Sequence, residues 1–140
     1  MIKIYFDGAC RPNSEGIATY GYVIYQNNKR IARGSGLIGS GIGMTNNVAE
    51  YEALLRAIKR FKKLDLKDKL LIKGDSSLVI NHLNGKWRCK TLHLSEYMTK
   101  IKQLLNGLDY EIMWIPREKN TKADERSKRA YNKYISEDTD

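Results

Sequence analysis

TNNVAEYEALLRAIKRF, Thr45 to Phe61, has the pattern of an amphipathic helix with a polar start. Ala49, Ala53 and Ala57 recur at four-residue spacing, as side chains do on the face of a helix that packs on a core. Glu50 lies beside this apolar face, where a carboxylate is costly unless it has a partner. A partner for Glu50 must therefore come from another part of the chain.

Three strand patterns precede this helix. MIKIYFD alternates apolar and polar residues with the period of a half-buried strand that ends at Asp7, and the turn-rich segment GACRPNSEG follows. ATYGYVIYQ and RIARGSGLIG are rich in β-branched and aromatic residues, and the polar residues Asn27–Lys29 between them predict a hairpin turn. The chain is therefore expected to begin with one strand and an antiparallel hairpin.

Strand and helix patterns continue after this helix. KLLIKGD predicts a short buried strand that ends at Asp75, and DYEIMWIP predicts another that ends at Pro116. The predicted helices cover Ser76–Leu83, Leu92–Leu105 and Ala123–Tyr134. A basic turn, NGKWRCKT, and a polar loop, REKNTK, connect these elements, and the terminal SEDTD is expected to fray.

The order of the elements predicts an α/β fold. Strands followed by helices imply parallel crossovers, whereas the early hairpin adds antiparallel strands. We therefore expect a mixed sheet with helices on its faces. The 140 residues suit one domain, which we place at residues 1–135, followed by a short polar tail at residues 136–140.

The net charge of +9 favours a polyanionic partner. Nucleic acid is the better candidate, because no helix combines a broad apolar face with a basic face as membrane-binding helices do. A basic protein without such a partner is the alternative. No apolar run is long enough to span a bilayer, and MIKIYFDGAC turns polar too soon for a signal peptide. We therefore expect a monomer in the cytoplasm that has no contact with a membrane.

Two cysteines, Cys10 and Cys89, are too few for a disulfide framework, and no CxxC pair indicates zinc. We expect both thiols to be reduced, as is usual in the cytoplasm. A single bond between them stays open on the sequence alone.

Four acids fall at the ends of predicted elements. Asp7 and Asp75 end strands, whereas Glu50 and Asp124 lie in the first turns of helices. Sites in α/β sheets form beside strand ends, so these acids are expected to meet above one edge of the sheet. A basic protein that gathers four carboxylates needs bound cations, and hard oxygen ligands of this kind suit Mg²⁺ or Mn²⁺.

Each acid taken singly has a simpler explanation. The helix dipole could favour Glu50 or Asp124. Asp7 could form an Asx turn with the glycine that follows it, and Asp75 could cap the helix that follows it. The prediction of a metal site therefore rests on the set of four acids.

Four segments, YFDGACRPN, TNNVAEYEAL, LLIKGDSSLVI and WIPREKNTKADERSKRA, resemble the four conserved blocks of type 1 ribonuclease H. They occur in the same order and at the family's spacing, so the resemblance covers nearly the whole chain. It implies an RNase H-like mixed five-stranded sheet flanked by helices. It also implies an endonuclease that cuts the RNA strand of RNA/DNA hybrids and leaves 3′-hydroxyl and 5′-phosphate ends.

The same resemblance implies the metal site. Its catalytic and metal-binding acids would be Asp7, Glu50, Asp75 and Asp124, and the family uses two Mg²⁺ ions, for which Mn²⁺ is a candidate substitute. Asp7 would bridge the two ions, and Asp124 would help to hold the ion that activates water. Glu50 and Asp75 would help to hold the ion on the side of the leaving oxygen. Such a pair of ions stabilises both oxygens of an in-line displacement.

The resemblance also implies positions that bind the hybrid. Those that match minor-groove contacts of the family, where the 2′-hydroxyl distinguishes RNA from DNA, are Cys10, Asn13, Asn46 and Asn47. Thr45 matches a position that holds a phosphate of the DNA strand, and Ser77 is a further candidate for a groove contact. Helix capping is the simpler explanation for the residues at the helix start.

Some features depart from the family pattern. Many members have a loop histidine before the last acid, whereas PREKNTK has none, and Arg117 is the candidate contact in that loop. The basic protrusion of some members is shortened to NGKWRCKT, in which we expect Trp87 to be a core or cover residue. Thr91 stands where some members have a phosphate-pocket asparagine. His82 and His93 lie in predicted helices, where we expect structural or surface roles.

Two other functions stay open on the sequence alone. A nucleic-acid-binding module of the same fold would also be basic, although it would not need four carboxylates beside phosphates. Another nuclease of the same superfamily would share the acids, although the D-x-E pair typical of proofreading exonucleases is missing from FDGAC.

Overall fold

The structure is a computed structural model that describes residues 1–138. These residues form five strands, four α-helices and one turn of 3₁₀-helix at Arg117–Lys119. The strands are β1 (Ile2–Arg11), β2 (Ile17–Gln26), β3 (Lys29–Ser40), β4 (Leu70–Gly74) and β5 (Tyr110–Trp114). The helices are α1 (Asn46–Leu64), α2 (Ser77–Leu83), α3 (Leu92–Leu105) and α4 (Thr121–Asp138). Within the described residues, every helix is too short or too polar to cross a membrane.

The strands form one mixed sheet in the order β3-β2-β1-β4-β5. β1 pairs antiparallel with β2 and parallel with β4. The β2–β3 pair is antiparallel and the β4–β5 pair is parallel. This sheet and its flanking helices confirm the predicted α/β fold with five strands.

The turn between β2 and β3 lies where the sequence predicts it. Asn27 and Asn28 connect the strands with backbone φ angles of 50° and 68°. A two-residue turn with positive φ at both positions matches the right-handed twist of the strands, and asparagine adopts this conformation more readily than most residues. The asparagine pair therefore sets a register in which Gln26 lies opposite Lys29.

β1 is longer than the alternation in MIKIYFD predicts, and Asp7 does not end it. The strand continues to Arg11 because β2 extends alongside it, so that Arg11 pairs with Ile17. The parallel pairing with β4 is shorter and stops at Phe6 and Gly74. Asp7 therefore lies inside a strand, at the point where the neighbouring strand has ended.

α4 is longer than predicted at both ends. The prediction placed it at Ala123–Tyr134 and expected residues 136–140 to fray, whereas the helix covers Thr121–Asp138. Residues 139–140 of the predicted tail lie outside the described part of the chain. The Ser127 and Thr19 hydroxyls, both buried, are 2.9 Å apart and join α4 to β2. This hydrogen bond helps to fix α4 on one face of the sheet.

The core lies between α1 and the face of the sheet opposite to α4. Ile2, Ile4 and Phe6 alternate along β1 toward α1, and they are fully buried together with Tyr51 and Leu54 of that helix. The amphipathic pattern that predicts α1 therefore forms the main apolar contact of the fold.

Trp87 does not join this core. Its side chain is 48% exposed, so the expectation of a core or cover residue is wrong. The backbone N–H groups of Lys86 and Trp87 both donate to the Asn81 carbonyl. These bonds hold the turn against the end of α2 and leave the indole in solvent.

Both cysteines are free. Cys10 is buried, and its thiol donates to the Pro12 carbonyl at 3.2 Å. The single Cys10–Cys89 bond that the sequence leaves open is therefore not formed, and the prediction of free thiols is confirmed.

Candidate active site

Three of the four predicted acids meet just beyond the end of β4. Asp7, Glu50 and Asp75 each place a carboxylate oxygen within 4.8 Å of the others. Asp7 and Glu50 are buried, whereas Asp75 is partly exposed. The fold thus brings together three groups from separate elements, as the prediction of a shared sheet edge requires.

A close contact between α1 and β1 places Glu50 beside Asp7. Gly8 lies so near the α1 backbone that a methyl group there would overlap the Ala49 carbonyl. Glu50 is the fifth residue of α1, beyond the first turn in which it was predicted, so the helix dipole contributes little to its position. Burial is the largest cause that raises the pKa of Glu50, and the nearby Gly8 backbone N–H opposes that rise.

Asp75 follows β4 directly, and it does not cap the next helix. Ser76 is the cap, because its Oγ accepts a hydrogen bond from the Val79 N–H at 3.3 Å. The Asp75 backbone is also fixed, since Trp114 Nε1 donates to its carbonyl at 3.1 Å. The capping explanation is therefore wrong for Asp75, and its carboxylate is directed to the other acids.

Asp124 borders the same cleft from α4, outside the three-acid group. It lies in the first turn of the helix, and its Oδ2 forms an ion pair with Lys128 Nζ at 2.9 Å. The cleft has a volume of about 430 Å³, and the four acids and Arg117 are among its lining residues. One turn of α4 thus brings both an acid to the cleft and an ammonium group to that acid.

Asn120 is a site residue that the sequence analysis missed. Its side chain is buried, and Nδ2 donates to the Phe6 carbonyl at 2.8 Å and to Asp75 Oδ2 at 2.9 Å. One amide group therefore links β1, the end of β4 and the start of α4. An asparagine just before a helix resembles an ordinary cap, but its Oδ1 is buried without a hydrogen bond from the described residues.

Burial and mutual repulsion perturb the acids. Burial, followed by the charges of Asp75 and Asp124, raises the pKa of Asp7 from 3.8 to about 8. Burial, followed by the charges of Asp7 and Asp75, raises the pKa of Glu50 well above its usual range. Without a cation, the cleft therefore holds protons that ordinary carboxyl groups would release at neutral pH.

The donor set fits a divalent cation. Glu50 Oε2 is buried and accepts no hydrogen bond from the described residues. Such a carboxylate oxygen is costly unless a cation or a proton neutralises it. The neighbouring ligands are carboxylates. Mg²⁺ and Mn²⁺ prefer such hard oxygen ligands over the softer ligands that suit other metals. Asp7, Glu50 and Asp75 could hold one ion, and Asp124 could contribute after release from Lys128.

The predicted groove residues at the start of α1 are connected by hydrogen bonds. Thr45 caps the helix, with Oγ1 accepting from the Val48 N–H at 3.1 Å. The Asn46 N–H donates to Asn13 Oδ1 at 2.8 Å, and Asn46 Oδ1 accepts from the Cys10 N–H at 2.8 Å. The simple capping explanation therefore holds for Thr45, whereas Asn46 links α1 to β1.

The other residues that were predicted to contact the substrate differ in how exposed they are to solvent. Asn47, Ser77 and Arg117 are exposed and line the acidic cleft. Cys10 is only 3% exposed, so a substrate contact through its side chain is excluded by the fold. The reason is local: Cys10 packs with Ala18 and Ala49 in a small apolar cluster between β1, β2 and α1.

The histidines have no part in the cleft lining. His82 is buried, and its Nδ1 lies 2.7 Å from the Tyr51 hydroxyl, while burial lowers the pKa of its imidazole. His93 is exposed, with its ring edge-to-face against Tyr97 at 5.7 Å between centroids. The predicted structural and surface roles of these histidines agree with their positions.

A mixed sheet with acids from β1, α1, the end of β4 and α4 around one cleft defines the ribonuclease H-like class of α/β proteins. The sequence matches the family described as reverse transcriptase-like over residues 5–130. The chain belongs to this family, and its fold is that of the type 1 ribonuclease H proteins.

Individual relatives agree with this membership. A protein named ribonuclease HI from Halobacterium salinarum is 36% identical over 125 residues, which are 88% of this chain and 60% of the relative. The chain thus spans less than two thirds of that curated relative. The crystal structure of RNase H1 from H. salinarum has a TM-score of 0.86 at 34% identity and covers 94% of this chain and 98% of its own. The structure of LC11-RNase H1 in complex with an RNA/DNA hybrid has a TM-score of 0.89 at 34% identity and covers 96% and 99%.

The raised pKa of Asp7 predicts how stability depends on pH. Between 3.8 and about 8 the folded protein binds a proton that the unfolded chain releases, so the free energy of unfolding should fall as the pH rises through this interval. Urea denaturation between pH 5 and 8 in EDTA measures this slope. Mg²⁺ at pH 8 should restore stability, because it replaces the proton.

Two variants separate this effect from other titrations. Asp7→Asn should flatten the slope, whereas Asp65→Asn, at the exposed C-cap of α1, should retain it. An equal slope in wild type and Asp7→Asn would contradict the assignment of the raised pKa to this group.

Asn120 should act on the affinity for the cation. Asn120→Ala removes the hydrogen bond that orients Asp75, so we expect Mn²⁺ to bind about tenfold more weakly or worse, as is typical when a supporting hydrogen bond to a ligand is lost. Isothermal titration calorimetry measures the change. Asn106→Ala, at the exposed end of α3, is the matched control and should bind Mn²⁺ as the wild type does. Unchanged affinity in folded Asn120→Ala would refute the role.

Proposed function

We propose that this protein is an endoribonuclease that hydrolyses the RNA strand of RNA/DNA hybrids, leaving 3′-hydroxyl and 5′-phosphate ends. The observation that carries the proposal is the group of three acids, two of them buried, in a cleft of a domain whose net charge is +9. The similarity to a protein named ribonuclease HI and to an RNase H1 bound to a hybrid supports the same activity.

The proposal assigns the four acids to two Mg²⁺ ions, with Mn²⁺ as a substitute. Asp7, Glu50 and Asp75 would hold one ion, and Asp7 with Asp124 would hold the other. When bound, such a pair stabilises charge on both the attacking and the leaving oxygen of a phosphodiester. The chain positions two of these acids without an ion, because the close backbone contact at Gly8 places Glu50 beside Asp7 and the Asn120 amide holds Asp75.

Hydrogen-bonding groups beside the acids would recognise the hybrid. Asn47 and Ser77 are exposed and border the cleft, so their side chains are free to meet the minor groove, where the 2′-hydroxyl distinguishes RNA from DNA. Asn13 and Asn46 hold each other, and Asn46 also holds the β1 backbone. We therefore assign Asn46 mainly a positioning role. We assign Thr45, the residue before it, a contact with a phosphate of the DNA strand. Cys10 is buried and its N–H is bonded to Asn46 Oδ1, so we propose that it supports binding by holding Asn46.

Arg117 is the candidate cation in the loop that lacks a histidine. It is exposed at the edge of the cleft and follows Pro116, the N-cap of the 3₁₀ turn. A guanidinium there would attract a substrate phosphate toward acids that otherwise repel it. We expect Arg117 to support substrate binding more than proton transfer, because arginine stays protonated at neutral pH.

The cleft favours catalysis over binding alone. Two buried carboxylates beside a phosphate backbone would weaken binding by repulsion, so a module that only binds nucleic acid gains nothing from them. A proofreading exonuclease is also disfavoured, because residue 9, where its second acid would stand, is Ala9. The two free thiols support a reducing compartment, and we propose a monomer in the cytoplasm.

A strand-labelled cleavage assay tests this function. With Mg²⁺, the wild type should cut only the RNA strand of a hybrid and leave double-stranded DNA intact, and EDTA should stop the reaction. Asp7→Asn should reduce the rate by at least about 10³-fold, because it removes a ligand common to both ions. Asp65→Asn should retain the wild-type rate.

Two outcomes would contradict the proposal. Hybrid binding without cleavage at saturating Mg²⁺ or Mn²⁺ would favour the binding module. Cleavage that survives Asp7→Asn would refute the metal assignment, provided that thermal denaturation shows both variants to be folded.

A further inference from the structure

A second concave site lies on the face of the sheet opposite α1. Lys3 pairs with Tyr25 across β1 and β2, and Tyr5 pairs with Lys73 across β1 and β4. All four side chains share this face, because the alternate residues Ile2, Ile4 and Phe6 face α1. The α4 helix packs mainly on β2 and β3, so the part of β1 that carries Lys3 and Tyr5 stays partly uncovered.

The site is a pocket of about 240 Å³. Its lining residues come from β1, β2, the hairpin turn and the segment that begins α4, and they are Lys3, Tyr5, Tyr25, Asn28, Lys119 and Lys122. Small-molecule pockets usually measure about 300–1,000 Å³, so this one suits a single compact unit. None of its lining residues is an acid.

The two tyrosines form a corner. Their ring centroids are 5.8 Å apart with an angle of 84° between the planes. Lys73 Nζ lies 5.6 Å from the centroid of the Tyr5 ring, so a cation already contacts one aromatic face. Half-buried rings in this arrangement offer a flat aromatic ligand a surface to stack on and a ring edge to contact.

The lysines around this corner lack acidic partners. In residues 1–137, no carboxylate lies within 4.0 Å of the ammonium groups of Lys3, Lys73, Lys119 or Lys122. Glu111, on the same face of β5, is instead paired with Lys69 at 3.7 Å. Uncompensated ammonium groups around a concave surface attract an anion.

We propose that this pocket, which we call the tyrosine–lysine pocket, binds a nucleoside phosphate. The base would stack in the corner of Tyr5 and Tyr25, and the phosphate would contact Lys119 and Lys122. Aromatic stacking combined with basic side chains is how proteins bind single-stranded nucleic acid without reading its sequence. The same chemistry would accept a free nucleotide or one unit of a single strand.

The pocket and the acidic cleft lie on two sides of one short segment. Arg117 lines the cleft, whereas Lys119 and Lys122 line the tyrosine–lysine pocket. Asn120, between them, bonds to Asp75. A single-stranded extension of a substrate could therefore bind beside the cleft, although binding in the pocket does not depend on the catalytic proposal.

Calorimetric titration of the full chain in EDTA tests the pocket, because EDTA removes the divalent ions through which the acidic cleft would hold a phosphate. The probes are AMP, adenosine, inorganic phosphate and single-stranded oligodeoxyadenylate. We expect AMP to bind more tightly than adenosine or phosphate alone. If the oligomer, with its concentration counted per nucleotide, binds with the same affinity as AMP, the ligand of the pocket is a free nucleotide. If the oligomer binds at least tenfold more tightly, the ligand is a single strand.

Paired variants locate the binding. Tyr25→Leu should weaken AMP binding about 30-fold, the middle of the range for loss of one stacked base, whereas Tyr110→Leu on β5 should not. Lys122→Gln should weaken AMP binding severalfold, whereas Lys59→Gln, exposed on α1, should not. Thermal denaturation checks that Tyr25→Leu is folded, and Lys122→Gln tests the pocket without altering the sheet.

Three results would overturn the proposal. They are no binding of either AMP or the oligomer, phosphate binding as tight as that of AMP, and equal loss of affinity in Lys59→Gln and Lys122→Gln. None of these results would affect cleavage of a blunt hybrid, so failure of this proposal is distinguishable from failure of the proposed function.

Discussion

The contact between α1 and β1 at Gly8 is the constraint on which the candidate site depends. It can form only because Gly8 has no side chain to hold the Ala49 backbone away. The contact places Glu50 against Asp7 in a buried setting, where two ionised carboxylates repel each other. The fold therefore maintains an unfavourable charge arrangement that a proton or a cation must relieve. That is a cost to stability, and such costs are typical of functional sites.

The other elements act around this contact. β4 ends one residue before Asp75, which places a third carboxylate at the same level, and Asn120 fixes it through one amide group. α4 adds Asp124 together with Lys128, so the fourth acid is neutralised by an exposed lysine that a stronger cation could displace. On the far side of the Arg117–Lys122 segment, lysines and tyrosines replace the acids. One short segment thus separates an acidic cleft that suits cations from a basic pocket that suits anions.

Much of this arrangement could be predicted from the sequence, where the signals are local. Alternation along β1, the Asn27–Asn28 turn and the helix that starts at Asn46 all depend on neighbouring residues, and each lies where it was expected. The full length of β1 could not be read in this way, because it depends on pairing with β2. Asn120 was missed for the same reason: its partners Phe6 and Asp75 are distant in sequence. The four acids could be predicted as a site only when they were considered together, because each acid taken singly has a simpler explanation.

Anomalous scattering from crystals soaked in Mn²⁺ tests whether the buried acids bind a divalent cation, because it locates the ion without depending on activity. We expect a peak within coordination distance of carboxylate oxygens of Asp7, Glu50 and Asp75, with a second peak near Asp7 and Asp124 at higher concentration or with substrate bound. Asp7→Asn should remove the first peak in an otherwise unchanged fold. A cleft without a peak at saturating Mn²⁺, in crystals where the ion reaches other surface carboxylates, would contradict this prediction.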